Sequence, residues 1–369
     1  MEFTIISEGS AKIIYSEEWL KKLSRRVGVF YNPKMRINRD FTIAALKTYS
    51  DIYRKRLTIL DAMAGSGIRS IRILLEIPEV IERIVINDIN NNAIYFIKKN
   101  LELNRIYFEN INVSNEDCRI LMLKNKYDYI DIDPFGSPVG FIQPAVLSLR
   151  NRGMLGVTAT DISALSGVRS KACYRKYSCL GIRTDFYLEF GLRTLAKYVI
   201  EEALRFDAAM IPIFGYYYLH HYRIFFIKSK KSKDVNFVMG NIKHIYYCPA
   251  CHYKSVDEKI CPLCKKQMKM LGPIYIGPLY DNLFVNSIVR CRSLHKESHD
   301  VLLKILNGDF KYKDVWYYYN ISLLAKSQKV PNIPKIERIL EQFNAVRTHF
   351  GPLTIKSREY PILKDIFTT

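Results

Sequence analysis

No stretch of this chain is apolar for long enough to span a membrane, and its opening residues, Met1-Glu2-Phe3-Thr4, lack the pattern of a secretory leader. The expectation is a cytoplasmic protein with no membrane association. Internal repeats and low-complexity tracts are missing, which sets aside solenoids and disordered tethers. Alanine is sparse beside lysine and isoleucine, a usage resembling that of thermophile proteins. Acidic residues run short too, 36 against 56 Lys and Arg, for a net charge of +20. That shortfall suits a polyanionic partner, whose phosphates shed counterions on meeting Lys and Arg, although a surface tuned for solubility is the plain alternative. Candidate contacts are Arg169-Ser170-Lys171, Arg175-Lys176, Lys228 to Lys233 and Lys265-Lys266. What is present is a globular composition, 49% apolar and 13% aromatic, in 369 residues, enough for two cores.

From residue 55 onward, short apolar runs alternate with stretches of helical period. Strands are expected at Leu57-Thr58-Ile59-Leu60, Ile84-Val85-Ile86, Ile111-Asn112-Val113, Tyr127 to Ile132, Met154 to Thr160, Ala209 to Phe214 and Arg223 to Ile227. Helices are expected from Ile68, over Asn92 to Leu103, and over Arg183 to Arg205. This rhythm implies an α/β fold, a doubly wound and mostly parallel sheet. The last two strands have no helix-length segment between them, so the final strand should be antiparallel, as in the Rossmann-like sheets of class I methyltransferases. The lysine-rich segment 228–234 reads as a boundary. We expect a domain at 1–235, with an N-terminal extension over 1–54, and a smaller α+β domain at 236–369.

Asp131-Ile132-Asp133-Pro134-Phe135-Gly136-Ser137-Pro138 follows the fourth strand. Asp133 and the carbonyl of Pro134 offer two acceptors aimed one way, and Phe135 offers a ring for stacking. Together they describe a pocket for a planar amino group on a nucleobase. Such an amine is a poor nucleophile, and acceptors that favour a more tetrahedral nitrogen also stabilise the charge that develops on it. A base held within folded RNA must first be extruded, at a cost of a few kcal/mol that stacking on Phe135 offsets in part. The plainer reading of Asp-Pro is a helix-capping turn.

Asp61-Ala62-Met63-Ala64-Gly65-Ser66-Gly67 sits at the first strand-to-helix turn, where small residues let the backbone approach a cofactor. Asp88 ends the second strand, placed to accept from ribose hydroxyls. Asp117 follows the third, placed to accept from an adenine amine, with the Cys118 backbone beside it. Nicotinamide dinucleotide sites share the acidic residue after strand two, but Ser70 stands where their pyrophosphate fingerprint needs a third glycine. S-adenosylmethionine carries no phosphate and fits better.

Cys248-Pro249-Ala250-Cys251 and Cys261-Pro262-Leu263-Cys264 have the spacing of a four-thiolate zinc ribbon, read as structural. The remaining cysteines, Cys118, Cys173, Cys179 and Cys291, read as ordinary thiols.

With these residues in place, the chain resembles, over nearly its whole length, the tRNA (guanine-N2)-dimethyltransferases that modify guanine 26, of archaeal type. The resemblance is carried by Val29-Phe30-Tyr31-Asn32-Pro33-Lys34-Met35-Arg36-Ile37-Asn38-Arg39-Asp40, Asp61 to Arg72, Asn87-Asp88, Asp131 to Pro138, Gly153 to Asp161, Ala172 to Tyr177 and Arg347 to Pro352. It implies S-adenosyl-L-methionine as methyl donor, tRNA as partner, and no obligate protein partner. It further implies Arg36 on the cofactor's carboxylate, with Arg69, Asp88, Asp117 and Cys118 lining the rest of that site, and Asp133 and Phe135 on the guanine. Glu189 matches an acidic position whose role the resemblance leaves open. The tail, with Ile336 to Phe343 and Val346-Arg347-Thr348-His349, resembles a winged helix able to grip RNA, or else a helical cap. Other amine substrates, and a zinc-bearing RNA-binding scaffold without activity, remain as rival readings.

Overall fold

The computed structural model describes residues 3–15, 31–291 and 294–367. Val29 and Phe30 of the resembling string lie outside the described residues. Among those described, no helix is long and apolar enough to cross a membrane.

The main sheet is built from β3 (Leu57–Asp61), β4 (Ile81–Asn87), β5 (Ile111–Ser114), β6 (Tyr127–Ile132), β7 (Leu149–Ala159), β8 (Ala209–Tyr218) and β9 (His221–Ser229). Its order is β5-β4-β3-β6-β7-β9-β8. The first five strands pair in parallel, with Asp61 of β3 opposite Asp131 of β6. Only Leu219 and His220 separate β8 from its neighbour β9, so this pair must be antiparallel, as expected. The chain moves outward from β3 to β5 and then restarts at β6 on the other side. The β3/β6 boundary is therefore the topological switch point, where the crevice beyond the strand ends receives ligands.

Several boundaries differ from the sequence reading, three of them instructively. β7 starts at Leu149, five residues before Met154. β8 continues through Tyr216-Tyr217-Tyr218, because a two-residue hairpin with Leu219 in the left-handed region (φ +49°) extends the ladder. The long helix is Tyr187–Leu204. It starts beyond Arg183 because Asp185 is held outside it, its N–H donating to Tyr247 Oη and its carboxylate accepting from Lys254.

By compactness the chain forms two units. One comprises Met1–Thr158, Phe225–Lys228 and Asn282–Ser298, and the other Ala159–Ile224, Ser229–Asp281 and His299–Thr369. In the first, a hairpin of β1 (Thr4–Glu8) and β2 (Ala11–Tyr15) is fastened by buried charge. Glu8 accepts from Arg39 (2.7 and 2.5 Å), Arg72 (3.0 Å) and Tyr31 (3.0 Å), while Arg72 also meets Asp40 (2.6 Å) and Glu76 (2.8 Å). Burial alone would raise the Glu8 carboxyl, but the two guanidinium groups hold it below its ordinary value. Taking one member away would leave a buried charge unpaired, which is why such networks tolerate little change.

Lys228 belongs to this unit and corrects one expectation. It is buried and donates to the Val146 and Leu149 carbonyls (2.5 and 2.8 Å), so it is not a phosphate contact. Arg169, Lys171, Arg175, Lys230, Lys231, Lys233, Lys265 and Lys266 are exposed, and Lys176 is half-buried on Asp161.

In the second unit, β10 (Ile242–Tyr247), β11 (Lys254–Ser255) and β12 (Lys269–Tyr275) carry the cysteine knuckles. A second small sheet of β13 (Tyr319–Asn320), β14 (Val346–Arg347) and β15 (Thr354–Lys356) packs with the helices Ile321–Ser327 and Ile336–Gln342 around Leu324, Ile339, Ile355 and Leu363. Glu189 is explained here. It is buried on the long helix, bonded to Arg193 (2.9 Å) and to Lys356 of β15 (2.7 Å), and it anchors the C-terminal segment.

Candidate functional site

The turn Asp61 to Gly67 adopts its shape through two glycines in the left-handed region, Gly65 (φ +57°) and Gly67 (φ +76°). Gly67 precedes the helix Ile68–Glu76, and a Cβ there would lie 3.1 Å from Ile97, so strain and crowding both favour glycine. Asp88 shapes the same turn from below, accepting from the Gly65 N–H (2.8 Å) and from Asn90 N–H (2.9 Å). Burial raises its carboxyl above the ordinary value. Each of its oxygens keeps a second lone pair for a hydroxyl donor.

Asp117 caps the helix Cys118–Lys124 by accepting from the Arg119 N–H (2.9 Å), and its carboxylate also meets the Arg119 side chain. That hydrogen-bonded pairing with Arg119 lowers it. The Cys118 thiol is buried and pushed up to about 12, which leaves its backbone as its polar contribution. Arg36 opens the helix Arg36–Tyr53, and its buried Nε has no partner among the described residues. Among the described residues the buried Ser66 hydroxyl is likewise without a hydrogen-bond partner. Unpartnered buried donors, one of them within the glycine turn itself, are what a site for a polar, carboxylate-bearing cofactor would use. The residues present fit S-adenosylmethionine.

Asp61 is enclosed and accepts from the Ser70 hydroxyl (2.7 Å). Burial pushes its carboxyl up to about 7, with Arg69 opposing and Asp131 reinforcing the rise. A group with a folded value near 7 against an ordinary 3.8 binds more protons folded than unfolded between those limits. Its contribution to stability is full below about pH 4 and is lost as the pH rises through 7, with a slope of up to about 1.4 kcal/mol per pH unit. Asp61→Asn keeps an acceptor for Ser70 and removes the titration. Urea denaturation between pH 4 and 7 should show a smaller loss of stability with rising pH in the variant. Parallel curves for the two proteins would show that Asp61 does not titrate there.

Beyond β6, Asp133 is partly exposed, with Pro134 buried and the Phe135 ring 53% exposed. Gly136 takes φ +87° and leaves open space beside it. Asp133 accepts from Arg69, a buried residue of the helix Ile68–Glu76. Arg69 also donates to Asn38 Oδ1 (2.8 Å) and Thr42 Oγ1 (2.7 Å) and approaches Asp131 (3.5 Å). Asn38 and Thr42 were missed as site residues. The sequence held a partial signal for Asn38, the polar run Asn38-Arg39-Asp40 at the start of a helix, all three of which prove to be buried.

The four knuckle cysteines lie in the second unit with their sulfurs within 4.8 Å of one another. Individual separations are 3.5 Å (Cys248–Cys264), 3.3 Å (Cys251–Cys261) and 3.8 Å (Cys251–Cys264). Four thiolates at ~2.3 Å from a tetrahedral zinc would stand about 3.8 Å apart, so the set fits that ion. The two knuckles repeat one backbone design. His252 and Lys265, each four residues after the first cysteine of its knuckle, are left-handed (φ +61° and +59°) and donate back to that cysteine's carbonyl.

The reversed strand order, the acidic residues after β3, β4 and β6 and the glycine turn at the switch point define a class I methyltransferase fold. The chain belongs to the N2,N2-dimethylguanosine tRNA methyltransferase family, whose model matches residues 9–362. It is 36% identical to the tRNA (guanine(26)-N(2)/guanine(27)-N(2))-dimethyltransferase of Aquifex aeolicus, covering 94% of this chain and 91% of the relative. It is 37% identical to the tRNA (guanine(26)-N(2))-dimethyltransferase of Saccharolobus islandicus, covering 89% and 87%. Its structure matches that of Trm1 from Pyrococcus horikoshii in complex with S-adenosyl-L-methionine, with a TM-score of 0.83, 27% identity and 99% of both chains covered.

Proposed function

We propose that this chain transfers one or two methyl groups from S-adenosyl-L-methionine to the exocyclic N2 of guanine 26 in tRNA. The observation that carries the reading is the pairing of a half-open carboxylate, Asp133, with an exposed ring, Phe135, at the switch point of a methyltransferase sheet. Bound S-adenosylmethionine would supply an electrophilic methyl group. Arg36 would hold its carboxylate, the Gly65–Gly67 turn its backbone, Asp88 its ribose, and Asp117 with the Cys118 N–H its adenine. Phe135 would stack the extruded guanine, while Asp133 and the Pro134 carbonyl would accept from N2 and stabilise the charge growing there. Asp133 is the natural acceptor for the departing proton, which otherwise leaves to water after the transfer. A zinc ion on Cys248, Cys251, Cys261 and Cys264 would serve structure, since its ligand shell would be full. A tRNA substrate supports the reading of a cytoplasmic enzyme.

The test is radiolabelled methyl transfer to an unmodified tRNA transcript and to the same transcript with guanine 26 changed to adenine. Loss of label with the change, and dimethylguanosine in the digest of the parent, is the expected result. The name of the Aquifex relative includes guanine 27. Label surviving the change at 26 and vanishing with a change at 27 would therefore move the target by one nucleotide, and label indifferent to both would defeat the assignment.

A further inference from the structure

We propose that Asn87 is a positioning residue for the methyl donor: its buried side-chain amide ties the segments that follow β3 and β5 to the end of β4. The inference rests on the reading of the Gly65–Gly67 turn, Asp88 and Asp117 as the cofactor's holders. Asn87 is the last residue of β4, fully buried, immediately before Asp88. Its Nδ2 donates to the Ala62 carbonyl (3.0 Å), where the glycine turn begins, and to the Glu116 carbonyl (3.0 Å), one residue before Asp117. Its Oδ1 accepts from the Glu116 N–H (3.2 Å). The backbone carbonyl of Asn87 adds a fourth bond, accepting from the Ala64 N–H (2.8 Å). The amide has one orientation here, because a flip would set its oxygen against two carbonyls.

β3 and β5 are not neighbours in the sheet, whose order places β4 between them, so no ladder bond joins their ends. The Asn87 side chain spans that gap. Asparagine suits the task, with two N–H donors for two carbonyls and an acceptor for one N–H. An apolar residue, of the kind that fills much of β4, would leave those three backbone groups without their partner. An ionised aspartate would turn an acceptor on two acceptors. The Asn87 amide spends both its nitrogen and its oxygen on the protein, and the residue has no exposed surface, so it does not touch the cofactor. It acts on spacing instead. The donor reaches from the glycine turn across Asp88 to Asp117, and a bridge that fixes those three segments preorganises the site before binding.

The experiment compares Asn87→Ala and Asn87→Asp with the parent. It reads S-adenosylhomocysteine affinity by calorimetry, kcat and donor KM on tRNA transcript, and the thermal midpoint, which shows whether each variant is folded. We expect folded Asn87→Ala to bind S-adenosylhomocysteine about tenfold or more weakly, the scale of one buried hydrogen bond. Donor KM should rise with it, and kcat should fall less than affinity. Asn87→Asp supplies the readout that a merely structural residue would not move. Its new carboxyl, buried against two carbonyls, titrates above the ordinary range, and once protonated it donates to one of them while accepting from the Glu116 N–H. Its affinity relative to the parent should therefore recover as the pH falls from about 8 to about 6. Asp61, Asp88, Glu116 and Asp117, the carboxyl groups near by, are common to both proteins, so the ratio at each pH cancels their titration. Should Asn87→Ala fail to fold, Asn87→Asp at the two pH values decides alone. Unchanged affinity in folded Asn87→Ala, or a deficit in Asn87→Asp that ignores pH, would overturn the proposal. So would a loss of kcat with affinity preserved. An Asp88→Ala variant that binds S-adenosylhomocysteine as tightly as the parent would instead overturn the cofactor site beneath it.

Discussion

Asp133→Ala is expected to reduce methyl transfer to tRNA by about three orders of magnitude, with S-adenosylhomocysteine affinity nearly unchanged. The size follows from what the carboxylate does. It supplies an acceptor that strengthens as charge builds on the amine, and a positioned proton acceptor contributes typically 10²–10⁴-fold. The selectivity follows from its position after β6, where its only bond in the protein among the described residues is to Arg69. Asp133→Asn keeps the size and one acceptor but loses the charge facing Arg69, so it should lie between the parent and the alanine variant. Single-turnover transfer of labelled methyl, measured beside calorimetric cofactor binding, separates the two effects. Undiminished transfer in Asp133→Ala would remove Asp133 from the chemistry. A parallel loss of cofactor affinity would place it in the cofactor site.

Cys248→Ser is expected to abolish stoichiometric zinc and to lower the thermal midpoint by roughly 10 °C. A serine hydroxyl does not replace a thiolate on zinc, and the knuckles have little else to hold them. Their core is the four cysteines with Met268, Tyr246 and Tyr253. Loss of a structural metal belongs among the few single changes that exceed about 4 kcal/mol, and each kcal/mol is worth about 2–4 °C in a domain of this size. Zinc quantitation on purified protein gives the first readout and calorimetric melting the second. Cofactor affinity should hold, because Arg36, Gly65, Asp88 and Asp117 all belong to the first compact unit and the knuckles to the second. A parent protein free of zinc, melting at the same temperature as the variant, would end the zinc reading.

How much of this was legible in advance depended on range along the chain. The strand ends announced themselves, because an apolar run followed by Asp61, Asp88 or Asp133 is a local pattern. The two knuckles did so too, since their chelate geometry needs only neighbouring residues. Lys228 was misjudged because a lysine in a basic run looks solvated, while the carbonyls that receive it come from residues some 80 positions earlier. Glu189 could not be explained for a like reason, its partner Lys356 lying 167 residues away. The start of the long helix was placed too early because Lys254, which holds Asp185, lies 69 residues away.

The sequence by itself determined the alternation of strands and helices, the glycine turn, the amine-binding string and the metal knuckles, since each is set by residues within a few positions of one another. Tertiary structure alone decided which polar groups are spent on the protein and which are left for ligands. Asn38, Thr42, Arg69 and Asp133 meet only when strand and helix ends converge at the switch point. Hydrogen bonds in a low-dielectric interior go to whichever partner the fold brings within 3 Å, and no local pattern encodes that choice.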